Sequence, residues 1–441
     1  RRGHRGRSAA ARVLQWHPEA WDKSGIRVER RDVEEAGRRG RVVQIVGDGV
    51  DGDWLTWRWN DPDRPVGVHR VEGLRESVAA FRSALPREPD SDKGKSPCDL
   101  EWLVTFKTVS RQDELKRLGL YGPLTRRDDE LELMRALSRA LLPGDLRRQL
   151  IEAAADGERV EVRVAPSPPA AVVPWGLLVL DDDDMRLLDV ADVSWIAPIL
   201  PRDIDPDAPC ATPATGGRAL HVVDPKTSKG WVLPGTFESC GCHGHGAEQF
   251  SAGYNGLEKL RARLETGAGK IARLLMIGHC ATGTRDAADT VFFMGDGEAN
   301  KLRASRLVRE AGRWRIPPRV GMVACASGTD LAQHEPFGLG TALLINGAEV
   351  LHATLWTLPT DYAIGFVDTG AVGAFEWLAQ AVDHAQSDAD PVASLCDLQR
   401  KKLAAWREKP GLGSSPLLWG ALITMTAPAG RRQNPGSASI P

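Results

Sequence analysis

Three short apolar runs in the second half of the chain constrain its fold more than any other feature. They are Ala219–Val223, Leu274–Ile277 and Val320–Ala324, and helical patterns lie between them at about Leu257–Leu264 and Leu302–Ala311. Apolar strands that alternate with amphipathic helices are typical of a parallel sheet covered on both faces. The pattern therefore predicts an α/β fold, built as a mostly parallel sheet flanked by helices.

Composition predicts how the chain is divided. Segments 87–98 and 206–217 are rich in Pro, Gly, Ser, Asp, Lys or Thr and are predicted to be linkers. The predicted parts are a small β-rich N-terminal module (1–86), a half-domain of helices and strands (99–205), a catalytic core (218–428) and a flexible tail (429–441). Predicted strands outside the three runs include Arg27–Arg31, Arg41–Val46, Trp54–Trp59, Val160–Val164, Glu349–Leu355 and Leu417–Met425.

Two reactive side chains come just after neighbouring predicted strands. His279 comes two residues after Leu274–Ile277, and Cys325 comes directly after Val320–Ala324. Functional residues of open α/β sheets lie just past the carboxyl ends of the strands, so both should lie at one edge. A thiol needs a base to form a thiolate at neutral pH, and imidazole titrates near that pH. The pattern predicts a cysteine peptidase with His279 as general base and Cys325 as nucleophile.

Small residues around this pair leave room for a substrate backbone. Main-chain amides of Cys280 and Cys325 are therefore the predicted oxyanion hole of an acyl intermediate. The plainer alternative is that Cys325 is a small buried core residue, as cysteines at strand ends often are.

The segments Leu275–His279 and Ala324–Gly328, with His279 and Cys325 46 positions apart, resemble the CHAT domain of the caspase-like clan of cysteine peptidases. Further stretches resemble that family in the same order, over about residues 100–427. They are Val173–Leu178, Asp224-Pro225, Leu233–Gly235, Phe337–Ala342, Ala353–Trp356 and Pro416–Gly420.

The resemblance implies a caspase-like endopeptidase that cleaves a partner protein through a Cys–His dyad and a thioester. It also implies control by a regulatory partner or activator, and a place in a bacterial defence or cell-death system. Trp356 would line the substrate groove or belong to the core. Asp224 and Asp361 would form an acidic substrate pocket or act as ordinary loop and capping acids.

One departure from the family pattern supports a different function. Cys280 comes after His279 where the family usually has glycine, so its side chain would crowd the oxyanion hole or offer a second thiol. The alternative is a catalytically silent caspase-like scaffold, since one fold hosts many functions.

Cys240, Cys242, His243 and His245 form a second cluster, and all four are suitable zinc ligands. Ligands of zinc sites are usually spaced further apart, so a glycine-rich loop beside the active site is the plainer interpretation. A zinc-dependent hydrolase built on this loop is the third functional alternative. The peptidase hypothesis itself needs no cofactor.

Charge and cysteine usage bound the partners and the compartment. Lys plus Arg (57) nearly balances Asp plus Glu (59), which argues against nucleic acid or an anionic membrane as partner. No apolar run reaches the ~18 residues that a spanning helix needs. Seven irregularly spaced cysteines do not suggest a disulfide framework, so we expect a reducing, cytoplasmic setting.

Overall fold

A computed structural model describes residues 41–48, 54–86, 117–199, 217–239, 247–329 and 332–428, apart from positions 156, 158, 198, 229, 230, 234, 252, 254, 284, 285 and 333–337. Eleven of its strands form one sheet, in the order β3-β2-β1-β4-β5-β14-β13-β12-β8-β6-β7. Three short strands, β9 to β11, form a second sheet.

The strands are β1 (Arg41–Asp48), β2 (Trp54–Trp59), β3 (Gly67–Arg70), β4 (Val160–Ala165), β5 (Ala191–Ile196), β6 (Arg218–Val223), β7 (Ala247–Gln249), β8 (Ile271–Ile277), β9 (Cys280–Ala281), β10 (Val291–Phe293), β11 (Lys301–Arg303), β12 (Arg319–Val323), β13 (Val350–Thr354) and β14 (Leu422–Thr426). The helices are α1 (Leu74–Ser83), α2 (Arg127–Leu141), α3 (Gly144–Ala155), α4 (Leu187–Val190), α5 (Gly256–Thr266), α6 (Ala304–Arg309), α7 (Leu339–Ile345), α8 (Asp361–Gly365), α9 (Ala374–Ser387), α10 (Pro391–Glu408) and α11 (Pro416–Trp419).

The large sheet consists of two parallel halves joined by one antiparallel pair. Strands β1, β4, β5 and β14 are parallel and form the first half, which β2 and β3 extend by antiparallel pairing. Strands β13, β12, β8, β6 and β7 are parallel and form the second half. Since β13 and β14 pair antiparallel, the carboxyl ends of the two halves lie at opposite edges of the sheet. The predicted fold class, a mostly parallel sheet flanked by helices, is confirmed.

The separate N-terminal module is a prediction that the sheet contradicts. β1 and β2 lie where strands were predicted, but β1 pairs parallel with β4 along its length, from Arg41↔Val160 to Val46↔Ala165. Val43 and Ile45 of β1 are fully buried in the same core as Val162 of β4. The described part of 1–86 therefore completes the first half of the sheet. The predicted strand Arg27–Arg31 and the tail 429–441 lie outside the described residues, as do the linkers except Gly217.

The predicted final strand, Leu417–Met425, begins too early. Ser415 accepts a hydrogen bond from the Leu417 amide through its hydroxyl, and Pro416 occupies the first helical position, where its missing N–H is no loss. Residues Pro416–Trp419 therefore form α11, and the strand starts at Leu422. Strands β3, β5, β7 and the small sheet were not predicted, because they are short or carry polar residues.

Helix α9 fixes the second half of the sheet. All seven residues of β8 are buried, as expected for a strand covered on both faces. Gly321 of β12 lets α9 approach closely, since a Cβ there would lie 2.5 Å from Val382 Cγ1. Arg319, at the start of β12, donates to the Gln386 carbonyl at the end of α9. The helix therefore runs antiparallel to β12, and its first turn lies at the carboxyl edge of this half.

Within the described ranges, every helix is too short or too polar to span a membrane.

Candidate active site

Four strands of the second half end at one level. Val223 of β6 pairs with Ile277 of β8, and Ile277 pairs with Val323 of β12. Gly321 pairs with His352, which brings Thr354, the last residue of β13, to the level of Val323. The chain segments after these four strands therefore leave the sheet side by side.

His279 and Cys325 occupy equivalent positions at this edge. Each is the second residue past a strand end, on adjacent parallel strands, which in sheets lie about 4.8 Å apart. The Gly278 amide donates to the Val323 carbonyl over 3.3 Å, so the two segments stay together past the paired ends. His279 and Cys325 are partly exposed, whereas the residues on either side of each are buried. The structure thus places both on the edge where the sequence predicted them, and their roles as base and nucleophile remain a prediction.

Cys325 begins a tight turn with an unusual backbone. Ala326 has φ 48°, in the left-handed region that a residue with a Cβ adopts at a free-energy cost. Its amide donates to the Trp356 carbonyl over 3.1 Å, and the Gly328 amide donates to the Thr354 carbonyl over 2.8 Å. The Cys325 Sγ lies 3.8 Å from the Leu358 carbonyl oxygen. These hydrogen bonds hold the turn against the end of β13 and the segment after it. The Ala326 amide is engaged by the Trp356 carbonyl and is therefore not a candidate oxyanion donor.

The main chain at His279 is held from both sides. Gly278 is closely packed, because a Cβ there would lie 3.1 Å from Phe292 Cζ and 3.2 Å from Pro225 Cδ. The His279 carbonyl accepts from the Phe293 amide over 3.0 Å, which joins the end of β8 to the small sheet. A larger residue before the histidine would therefore have to displace Phe292 or Pro225 by a few tenths of an ångström.

Cys280 is 3% exposed, and its side chain packs in the hydrophobic core. It is therefore no accessible second thiol. The predicted oxyanion role of the Cys280 and Cys325 amides stays a prediction.

Asp224 organises a loop. It lies directly after β6 with φ 42°, and its carboxylate accepts from the amides of Val232 and Leu233 at 2.9–3.1 Å. Burial raises the pKa of Asp224, and those two hydrogen bonds oppose the rise. An acid bound in this way fixes the segment after β6 and does not form an open acidic pocket.

Asp361 is used similarly. It is 1% exposed, and its carboxylate accepts from the amides of Gly373, Phe375 and Glu376 at 2.8–3.0 Å. It therefore caps the start of α9, which is the capping role that the sequence left open, and the acidic-pocket alternative has no support from its geometry.

Trp356 belongs to the core. It is 5% exposed, its Nε1 donates to the Leu417 carbonyl over 2.8 Å, and the Phe81 ring meets it edge-on at 5.6 Å. The core alternative therefore describes this side chain, and its carbonyl supports the turn that begins at Cys325.

Sequence reasoning missed three residues near this edge. Ser327 and Thr354 are fully buried hydroxyls beneath the turn, and nothing in the sequence separates them from other Ser and Thr residues. Glu376, in the first turn of α9, has a pKa raised by burial and by the nearby acids Asp361 and Glu238. Its environment is set by tertiary packing, which the helical pattern does not reveal.

The four predicted zinc ligands, Cys240, Cys242, His243 and His245, lie outside the described residues. Within the described ranges, no group of three His, Cys, Asp or Glu side chains is placed to hold a metal ion.

Comparison with protein-family models gives no match, and comparison with curated proteins gives no significant one. Among solved structures, the chain is similar to the Saccharomyces cerevisiae separase–securin complex, at a TM-score of 0.37 and 10% identity. The match covers 88% of this chain and 30% of the other, so this chain spans less than a third of that protein's length. A likeness at this TM-score does not establish a function for this chain.

Proposed function

We propose that this protein is a cysteine endopeptidase of the caspase-like type, with Cys325 as nucleophile and His279 as general base. The observation that carries the proposal is the pairing Ile277↔Val323, because it sets the second residue past each strand side by side at one exposed edge. The resemblance of the surrounding motifs to the CHAT domain agrees with this assignment and supplies the reaction class.

The residues suffice for acyl transfer. His279 takes the proton of the Cys325 thiol, and the thiolate sulfur attacks the carbonyl carbon of a peptide bond. The tetrahedral oxyanion collapses to a thioester as His279 gives its proton to the departing amine. Water then attacks the thioester while His279 accepts a proton, and the thiolate leaves and is reprotonated. The proposed donors to both oxyanions are the amides of Cys280 and Cys325.

The substrate we propose is a protein, because the resembled family cleaves partner proteins. A peptidase acting inside a cell needs restraint, so a regulatory partner or activator belongs to the proposal. A cytoplasmic location and a place in bacterial defence or cell death rest on the family resemblance and on cysteine usage alone.

The second candidate is a silent scaffold, and one observation favours it. Cys280 replaces the glycine that the resembled family carries after its histidine, and its buried side chain restricts the backbone next to His279. Such a protein would keep the fold and a partner-binding role without bond cleavage.

Active-site labelling separates the two. The protein is treated with a mixture of biotinylated peptide acyloxymethyl ketones, and adducts are counted by intact mass. We expect one adduct, absent in Cys325→Ala and retained in both Cys280→Ala and Cys396→Ala. Cys396 is the matched control, since it is 1% exposed and burial raises the pKa of its thiol to about 12. Labelling that survives in Cys325→Ala would exclude Cys325 as nucleophile, and an unlabelled wild type that still binds a partner would favour the scaffold.

A further inference from the structure

The turn that carries Cys325 lies beyond the last regular β-ladder pair between β12 and β13. β12 and β13 pair regularly only from Arg319↔Val350 to Gly321↔His352, whereas β12 and β8 pair as far as Val323↔Ile277. Beyond the end of the β12–β13 ladder, the chain turns into the left-handed conformation at Ala326. Something other than the ladder must therefore hold the nucleophile turn against β13.

Two buried hydroxyls fill this place. The Thr354 hydroxyl donates to the carbonyl of Ala324, the residue before the nucleophile. The Ser327 hydroxyl donates to the Met322 carbonyl over 2.9 Å and accepts from the Thr354 amide over 3.2 Å. Each hydroxyl has one proton, and each proton has an acceptor on the β12 segment.

The two hydroxyls also contact each other. Ser327 Oγ and Thr354 Oγ1 lie 3.3 Å apart, and both residues are completely buried. Since the Ala326 and Gly328 amides donate to carbonyls of Trp356 and Thr354, the turn is bound to the β13 segment on both sides of the hydroxyl pair. The hydroxyls thus replace the missing ladder bonds where Cys325 leaves the sheet.

We propose that Ser327 and Thr354 are positioning residues for the nucleophile. They hold the turn in the strained conformation that directs the Cys325 thiol and amide toward the edge shared with His279. This inference rests on the proposed function, and it adds two residues that act through the turn and do not touch the substrate. Removing one hydroxyl releases the Ala324 or Met322 carbonyl and lets the turn relax toward an unstrained backbone.

The test compares substitutions at buried threonines. Thr354→Val removes the hydroxyl and keeps the shape, and Thr354→Ser keeps the hydroxyl. Thr424→Val is the matched control, because Thr424 is 2% exposed and its hydroxyl meets His352 Nδ1 at 3.0 Å, away from the turn. The rate constant for Cys325 labelling by an acyloxymethyl ketone is measured from pH 5 to pH 9 for folded protein.

We expect Thr354→Val to lower the limiting rate constant about ten- to a hundredfold with the pH midpoints unchanged, since misplacement lowers rate without altering titration. Thr354→Ser and Thr424→Val should stay within about twofold of wild type, because neither loses the bond to Ala324. Equal rates in Thr354→Val and wild type would overturn the proposal. So would an equal loss in Thr424→Val, which would point to general destabilisation.

A second readout does not depend on reactivity. If wild-type Cys325 proves unreactive, the proposed function fails, but hydrogen exchange still reports on the turn. The Ala326 and Gly328 amides should then exchange about tenfold faster in Thr354→Val than in Thr424→Val, because a turn that has lost the hydroxyl bond opens more often and breaks the amide bonds to Trp356 and Thr354. Unchanged protection of both amides would refute the positioning role by itself.

Discussion

The two halves of the large sheet share an architecture and differ in the residues at the carboxyl ends of their strands. In the second half, strand ends lead directly to Asp224, His279 and Cys325. In the first half, β1 ends at Asp48, and the described residues after β4, β5 and β14 begin with Pro166, Ala197 and Ala427 and include neither histidine nor cysteine near the strand ends. Parallel strands alone therefore do not make a site. Reactive side chains at the ends of these strands distinguish the second half from the first.

The first half contains an internal network of charged side chains. In the first half, the buried guanidinium of Arg186 makes two hydrogen bonds of 2.9 Å to the carboxylate of Glu130, which is also buried, and a further ion pair to Asp184. Arg407 of α10 reaches Asp184 as well. These charges satisfy one another inside the structure, whereas His279 and Cys325 remain partly open to solvent. The charged side chains of this network therefore stabilise the first half, whereas His279 and Cys325 are accessible to solvent at the carboxyl edge of the second.

The largest effect should come from the histidine of the second half. His279→Ala is expected to slow Cys325 labelling at pH 7.5 by about a hundredfold or more, because the thiol loses its base. His69→Ala on β3, in the first half, is the control, since His69 is also partly exposed. Both variants should unfold within about 0.5 kcal/mol of wild type in urea. If His69→Ala slowed labelling equally, the two halves would not differ as proposed.

A large loss of stability should come from the first half. Glu130→Gln leaves Arg186 buried without its main counter-charge, so we expect the free energy of unfolding to fall by about 3–5 kcal/mol. Glu132→Gln on the exposed side of the same helix should change it by less than about 0.5 kcal/mol. Chemical denaturation measures both. A loss below about 1 kcal/mol in Glu130→Gln would mean that Asp184 alone compensates Arg186.

A smaller effect should come from the contact of α9 with the second half. Gly321→Ala places a methyl group 2.5 Å from Val382 Cγ1 and 2.7 Å from Gln386 Nε2, so we expect a loss of about 1–3 kcal/mol from overpacking. Gly144→Ala is the control, because a Cβ there meets no atom within 4 Å and the residue begins a helix. Equal stability of Gly321→Ala and wild type would show that α9 is loosely held.

The smallest effect is a pH dependence from His352, which is fully buried in β13. Burial, with Arg319 adding to it, lowers the pKa of His352 from 6.5 to about 3. The unfolded chain therefore takes up this proton as the pH falls below about 6.5, whereas the folded chain does not. This lowers the free energy of unfolding by about 1.4 kcal/mol per pH unit.

His352→Gln should lack that slope, so its deficit relative to wild type at pH 7 should shrink at pH 5.5. Urea unfolding at the two pH values measures this, with His69→Gln as the control for replacing a partly exposed histidine. A deficit that is the same at both pH values would contradict the assignment.

The sequence predicted those parts of the molecule that depend on local pattern. β2 was predicted with its observed bounds, Trp54–Trp59, because large apolar and polar residues alternate there. The positions of His279 and Cys325 could be predicted from uninterrupted apolar runs whose ends are easy to locate. The start of β14 was predicted too early because α11 and the strand form one continuous apolar stretch. The spacing of apolar residues does not show where the helix ends and the strand begins.

Other roles could not be predicted because distant partners define them. Whether Asp361 caps α9 or binds substrate depends on amides 12 to 15 residues away. Trp356 was ambiguous for the same reason, since Phe81 and Leu417 bury it. The place of β1 beside β4 depends on pairing between segments more than 100 residues apart, as in Arg41↔Val160.

The position of β14 has a consequence for the order in which the molecule forms during synthesis. It is the last strand in the described chain, yet it sits in the middle of the sheet between β5 and β13. The halves are joined when β14 pairs with β5, as in Ile196↔Thr426, and with β13, as in Val350↔Thr426. The first of these pairings forms only after nearly all of the intervening chain has left the ribosome. Contacts of such separation form slowly. A nascent chain therefore leaves β5 and β13 each without a neighbour on one side until β14 has been made, and the large sheet is completed only by that strand.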